Sequence, residues 1–433
     1  MSTCAESIRE RLSSSRERTL ALYEPLRDAD LARTPDPIMS PPLWDLGHIA
    51  AYEELWLVCR LAGQASLYPE LQHAYDAFET PRARRTEIRL LDEAGCRDYL
   101  DRVRARSLEA LAATDLDPDG PPLTAGGFVF EMVAEHEAQH TETVLQTLQM
   151  FGDGTYRPPR QARLPDAGDT TADRIFIPSG SFSMGASADF AYDCERPRHQ
   201  RTLAGYLIDR YPVTNGRHLE FMADGGYDRR ELWSAAGWAW RCEHDVVAPL
   251  YWEPDGGGTW LARSFDEIAR VDPERPVCHV SWHEADAHAR WASARLPTEE
   301  EWERAACGGH GECAAPRYPW GDEPPEGRAN LDQLAFAPAP VGAYPAGAAR
   351  TGCAQLIGDV WEWTASRFDP YPGFTAFPYP EYSEVFFGKD YRVLRGGSWA
   401  TQPIAVRTTF RNWDLPQRRQ IFSGFRLAWD LRE

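Results

Sequence analysis

The sequence predicts an all-helical bundle followed by an irregular α+β domain. Apolar residues up to about residue 150 recur at helical spacing. The stretch FGDGTYRPPRQARLPDAGDTTADR, rich in Pro, Gly and Asp, then reads as a linker over 151–174. Beyond it lie 14 of the 16 tryptophans, among short strand-like runs broken by Gly and Pro. The expected division is a bundle over 1–150 and a second domain over 175–433, and a chain of 433 residues has room for both cores.

Ile8, Leu12, Leu20, Tyr23 and Leu26 form the first amphipathic stripe. PLWDLGHIAAYEELWLVCRLAG reads as a second helix ending near Gly63, and Tyr99, Leu100, Val103, Leu108 and Leu111 mark a third. The last helix is expected from about Gly127 to Met150, with Val129, Met132, Val133, Val144, Leu145 and Leu148 facing inward. Four such helices suit an antiparallel bundle, whose interior is a usual place for metal sites. In the second domain, short helices are expected at His283–Ala294 and Thr298–Ala306.

Lys plus Arg number 46 against 66 Asp plus Glu, a net charge of −20. That balance argues against nucleic acid as a partner. The longest uncharged run, Gln333–Ala349, holds three prolines and does not read as a membrane span. The charged N-terminus has no apolar h-region, and nine scattered cysteines fit free thiols, so a cytoplasmic protein is expected. Cys307, His310 and Cys313 in CGGHGEC offer a conceivable soft-metal cluster, although a plain loop is the favoured reading.

Residues 136–140 read HEAQH, the H-E-x-x-H pattern of zinc proteases. Histidines at i and i+4 share one helical face, here the inward stripe of Met132, Val133 and Val144, so their imidazoles can converge on one ion. Context leaves the protease reading an outside possibility. Thr143 and Gln146 stand where a metzincin needs Gly and His, and no glutamate follows Glu142 until Glu195. A better third ligand lies upstream, where His48 sits mid-helix between Leu46 and Ile49. Ligand type alone leaves zinc and iron open.

The second half carries FIPSGSFSMG, ERPRHQRTLAGYLIDRYPVTNGRHLEFM, RLPTEEEWERAA, YPWGD, GDVWEWT, RVLRGGSW and SGFRLAW, in that order across 176–429. This series resembles the formylglycine-generating-enzyme (sulfatase-modifying factor) domain, a variant of the C-type-lectin-like fold. That enzyme uses cysteines after its RVLRGGSW equivalent, whereas ATQPIAVRTTFRNWD here has none. Formylglycine generation is not expected. A DinB-like four-helix bundle with a histidine triad, fused to such a domain, resembles the ergothioneine-biosynthesis sulfoxide synthases over nearly the whole chain.

That resemblance implies a non-haem iron(II) centre on His48, His136 and His140, joining hercynine to a thiol with dioxygen and leaving a sulfoxide. It assigns Gln139 to the hercynine imidazole, and Asn412 and Trp413 to its betaine end. An aromatic face suits a quaternary ammonium, which has no N–H to donate. Arg82 and Arg85 in PRARR, with Asp414 and Arg418 in DLPQRR, match the branch of the family that uses γ-glutamylcysteine. Guanidinium forks suit its two carboxylates and an aspartate suits its ammonium. Tyr379, in GFTAFPYPEYSEVFF, matches a tyrosine that supplies a proton and diverts the chemistry from thiol oxidation toward coupling, ahead of Tyr382. Other readings are the same chemistry with another sulfur or selenium donor, a metal-dependent thiol S-transferase, and a non-catalytic lectin-like module.

Overall fold

A computed structural model describes residues 3–159, 162–169, 171, 174–187, 190–308 and 316–431. It divides into two compact units, Met1–Arg157 and Pro158–Glu433. His310 and Cys313 of the CGGHGEC cluster lie outside the described residues.

The first unit is built on α1 (Thr3–Tyr23), α2 (Pro42–Glu53), α3 (Glu93–Ala113) and α4 (Phe128–Phe151). Pro42 starts α2 at a position where no N–H is needed. The Asp92 carboxylate caps α3 by accepting the Gly95 N–H at 2.8 Å. Gly152, at φ 60°, ends α4 in the left-handed conformation. Most of the expected inward faces are buried: Ile8, Leu12 and Tyr23 on α1, Tyr99, Leu100, Val103 and Leu111 on α3, and Val129, Met132, Val133, Val144, Leu145 and Leu148 on α4, whereas Leu20 and Leu108 are half-buried. Burying each such side chain is worth roughly 1.5–3 kcal/mol.

The second expected helix departs from plan. After Glu53 the chain continues as π-helix over Glu54–Leu61. The Glu54 carboxylate accepts Ser66 Oγ–H at 2.7 Å, the Leu67 N–H at 2.6 Å and Tyr99 Oη–H at 2.6 Å. These three bonds fasten the widened turn to the following loop and to α3.

Each bundle helix also contributes one charge to a buried ring. Arg16 of α1 pairs with Glu53 of α2 at 2.8 Å and Glu137 of α4 at 2.7 Å. Arg104 of α3 pairs with Glu53 at 2.8 Å and Glu137 at 3.0 Å. Burial alone would raise the Glu53 carboxyl, but Arg104 and Arg16 outweigh it and hold it down at about 2.

The second unit is α+β. One antiparallel sheet sets Tyr206–Asp209 between Arg174–Ile177 and Ala428–Asp430, so the two ends of the domain flank one strand. Another runs Asn412–Asp414, Arg392–Arg395, Trp361–Arg367 and Ser423–Gly424, the last pair parallel. Ser281 and Thr298 cap the helices Trp282–Trp291 and Glu299–Cys307, each reciprocated by a glutamate three residues on.

Several motifs of the second unit prove to be halves of buried ion pairs. Arg395 of RVLRGGSW meets Glu303 of RLPTEEEWERAA at 2.6 Å, and Arg426 of SGFRLAW meets Glu362 of GDVWEWT at 2.6 Å. Arg411 meets Glu299 at 2.8 Å. Breaking one such pair by removing a single partner costs about 3–5 kcal/mol, because the other charge stays buried. Among the described residues, no helix is long and apolar enough to cross a membrane.

Candidate metal centre

His48 on α2 and the α4 pair His136 and His140 converge, their ligand nitrogens all within 4.8 Å of one another. His48 Nε2 and His136 Nε2 face each other at 3.2 Å. Two imidazole lone pairs accept that approach only around a shared proton or cation.

The outer partners orient the rings. His48 Nδ1–H donates to the Tyr75 carbonyl at 2.6 Å, and His140 Nδ1–H donates to Asp45 Oδ1 at 2.8 Å. Each bond leaves that ring's Nε2 as the ligating nitrogen. His136 lies flat on Tyr52, with centroids 3.6 Å apart and planes 9° apart, and His48 stacks on Trp44 at 4.6 Å. Burial, and next the proximity of His140, push His48 and His136 well below the usual histidine range. Both therefore stay unprotonated and able to ligate at neutral pH. This donor set fits a divalent first-row ion, and a three-histidine set leaves positions open for other ligands.

The sequence around His48 explains its placement. A Cβ on Gly47 would lie 2.2 Å from the Tyr75 ring, so only glycine lets that ring press against α2. The Tyr75 carbonyl then reaches His48. The sequence reading missed Tyr75, Trp44, Tyr52 and Asp45. Of these, Asp45 had a signal: an acid inside an apolar helix, three residues before His48 and on its face.

Glu137, the would-be base of the H-E-x-x-H pattern, is 1% exposed and held by Arg16 and Arg104. It is a structural charge, which removes the protease reading. Gln139 is half-buried on α4 beside His140.

Arg82 and Arg85 belong to a short 3-10 turn region in the same unit. Arg82 Nη1 donates to the Ile38 carbonyl at 2.9 Å. Arg85 is 5% exposed and donates to the Thr80 carbonyl at 3.0 Å, Ser40 Oγ at 2.6 Å and the Ala77 carbonyl at 3.3 Å. Its guanidinium lies 3.3 Å from the centre of the Trp44 ring. Burial pushes its pKa down to about 10.

The other predicted residues gather in the second unit. Asn412, Trp413 and Asp414 form an edge strand in register with Leu394, Val393 and Arg392. Trp413 stacks on Phe368 at 4.0 Å, meets Tyr382 edge-on at 5.7 Å and lies tilted against Phe386 at 5.5 Å. Tyr379 adjoins Tyr382 at 6.3 Å. Asp414 Oδ1 accepts the Leu415 N–H at 2.7 Å and lies 3.5 Å from Arg418 Nε. Arg418 Nη1 is buried with no hydrogen-bond partner among the described residues.

Residues 11–144 match the DinB superfamily, and residues 160–431 match the sulfatase-modifying factor enzyme 1-like domain. The fold and site thus define a two-domain protein that pairs a DinB bundle bearing a three-histidine centre with a domain of the sulfatase-modifying-factor class. The chain is 46% identical to the hercynine oxygenase of Mycolicibacterium thermoresistibile, covering 97% of this chain and 94% of that protein. It is 44% identical to that of Mycobacterium tuberculosis, covering 99% and 100%. A formylglycine-generating enzyme of Thermomonospora curvata is 34% identical over 59% of this chain and 93% of its own. The chain belongs to the hercynine oxygenase family, a family of oxidoreductases.

Proposed function

We propose that the chain couples hercynine to γ-glutamylcysteine with dioxygen, as an iron(II) enzyme of ergothioneine biosynthesis. The observation that carries the reading is the convergence of His48, His136 and His140 in a chain of this family. The reaction balances: the thiol and an imidazole C–H lose their hydrogens, a C–S bond forms, one oxygen atom goes to the sulfoxide and the other leaves as water. Iron bound by the triad supplies the redox chemistry that lets dioxygen react with two closed-shell substrates.

The remaining roles fall to side chains of the protein. Gln139 holds the hercynine imidazole, Asn412 its carboxylate end, and Trp413 its trimethylammonium by a cation–π contact. Asp414 takes the donor's ammonium, and Arg82, Arg85 and Arg418 take its carboxylates. The unsatisfied Nη1 of Arg418 supports this reading, since a buried guanidinium nitrogen without a partner is costly until an acceptor arrives. Arg85 has three of its five N–H groups committed to Thr80, Ser40 and Ala77, so it takes part through the other two. Tyr379 donates a proton that favours coupling over oxidation of the thiol to sulfinic acid.

The test is anaerobic iron loading, addition of hercynine and a panel of thiols, then air, with products weighed by mass spectrometry. The sulfoxide should form fastest from γ-glutamylcysteine. Equal turnover with zinc in place of iron, or turnover without dioxygen, would return the chain to the thiol-transferase class.

A further inference from the structure

Asp193 lies on a 3-10 turn, Asp193–Glu195, far in sequence from the segment that carries Tyr379. Its carboxylate is 2% exposed and has two oxygens to place. Oδ2 accepts the backbone N–H of Phe377 at 3.2 Å, and Oδ1 accepts Ser383 Oγ–H at 2.7 Å. Those two donors bracket the segment Pro378–Tyr382. Within the segment, Tyr382 N–H donates to Tyr379 O at 3.5 Å, and just beyond it Phe386 N–H donates to Ser383 O at 3.0 Å. The next residue back from Asp193 adds a third tie, because Tyr192 stacks on Tyr382 at 3.9 Å with planes 17° apart.

The base under these ties is fixed. Glu195 accepts the Tyr192 N–H at 2.9 Å, Arg407 Nε–H at 2.9 Å and Thr409 Oγ1–H at 2.7 Å. Arg411 Nη1 donates to the Cys194 carbonyl at 2.8 Å. We propose that Asp193 is a positioning residue, tying both ends of the Phe377–Ser383 segment to this base and so setting where Tyr379 stands. The inference rests on the role of Tyr379 given above.

The choice of an acid at this position has a physical reason. An asparagine side chain offers one acceptor atom, whereas a carboxylate offers two, one for each end of the segment. Burial pushes the Asp193 carboxyl up to about 6, and the Ser383 and Phe377 donors oppose that rise. Above that value the carboxylate is ionised and accepts at both oxygens. A proton donor displaced by about 1 Å can lose on the order of 100-fold in rate. Loosening one end of the segment should therefore change what the enzyme makes before it changes what it binds.

The experiment uses the full-length, iron-loaded protein carrying Asp193→Asn, Ser383→Ala, Tyr379→Phe, or Asp193→Asn with Tyr379→Phe. Four quantities are read: the sulfoxide-to-sulfinic-acid ratio, the KM for each substrate, iron content, and amide hydrogen exchange over residues 377–387. Asp193→Asn and Ser383→Ala should each lower the product ratio about fivefold and speed exchange in that segment. Iron content and hercynine KM should stay within about twofold, and the double variant should be no worse than Tyr379→Phe. Faster exchange with an unchanged ratio, where Tyr379→Phe does shift it, overturns the proposal and leaves Asp193 a structural residue. An unchanged ratio in Tyr379→Phe itself refutes the reading of the tyrosine instead. Should Asp193→Asn fail to fold, Ser383→Ala carries the same test from the other side of the bond.

Discussion

Asp45 Oδ1 lies 2.8 Å from His140 Nδ1, on a carboxylate that is 1% exposed. A buried acid that holds the outer nitrogen of a ligand fixes its tautomer and raises its basicity. Asp45→Ala should therefore lower iron affinity about 10- to 100-fold. Competition with a metallochromic chelator measures this, and an unchanged affinity would show that the Asp45 contact does not tune the centre.

Removing a ligand should have a larger effect. His136→Ala is expected to abolish stoichiometric iron binding and activity, while helical circular dichroism is retained. His136 contributes a stacked ring but no charge to the bundle. Full iron occupancy in this variant would place the metal elsewhere.

Arg82 and Arg418 separate donor binding from hercynine binding. A lost charge-assisted hydrogen bond is worth about 1.5–3 kcal/mol. Arg82→Ala and Arg418→Ala should thus raise the KM for γ-glutamylcysteine roughly ten- to a hundredfold and leave that for hercynine little changed. Equal rises for both substrates would make them structural. Arg85→Ala is expected to behave differently: its guanidinium braces Trp44, which stacks on His48, so iron affinity and melting temperature should fall with it.

Acid stability should report on Glu53. Its folded-state pKa is depressed from 4.5 to about 2, so its stabilisation is fully present above pH 4.5 and is lost as the pH falls toward 2. Glu53→Gln should cost ~3–5 kcal/mol at pH 7, since it leaves Arg16 and Arg104 short of a partner. The gap between variant and parent should close below pH 4.5, as followed by thermal melts across pH. A constant gap down to pH 2 would contradict the assigned shift.

The bundle and its inward histidine pair were legible because helical periodicity is a local property: HEAQH shares a stripe with Met132, Val133 and Val144. His48 was legible by context, as a polar residue within an apolar helix. The outer shell was hidden. Tyr75 reaches His48 from 27 residues away, through a backbone carbonyl that no pattern marks, and Asp193 meets Ser383 across 190 residues. The π-helical stretch was missed because Glu54–Leu61 has the composition of an ordinary helix; its anchoring by Ser66, Leu67 and Tyr99 is a tertiary event. Arg85 carried the charge expected of a donor ligand, and nothing in PRARR disclosed how deeply it is buried.

The ring of Arg16, Glu53, Arg104 and Glu137 has a consequence for register. Apolar burial is non-directional and by itself fixes register less sharply than paired charges do. A charge ring drawn from all four helices does not tolerate sliding. Slipping α4 by one turn, about 5.4 Å, would carry Glu137 away from both arginines and leave charges stranded in the core. The same slip would move His136, the residue next to Glu137, away from His48. The ring thus acts as a vernier for the metal site: the alignment in which the four charges are matched is the one that brings the three imidazoles together.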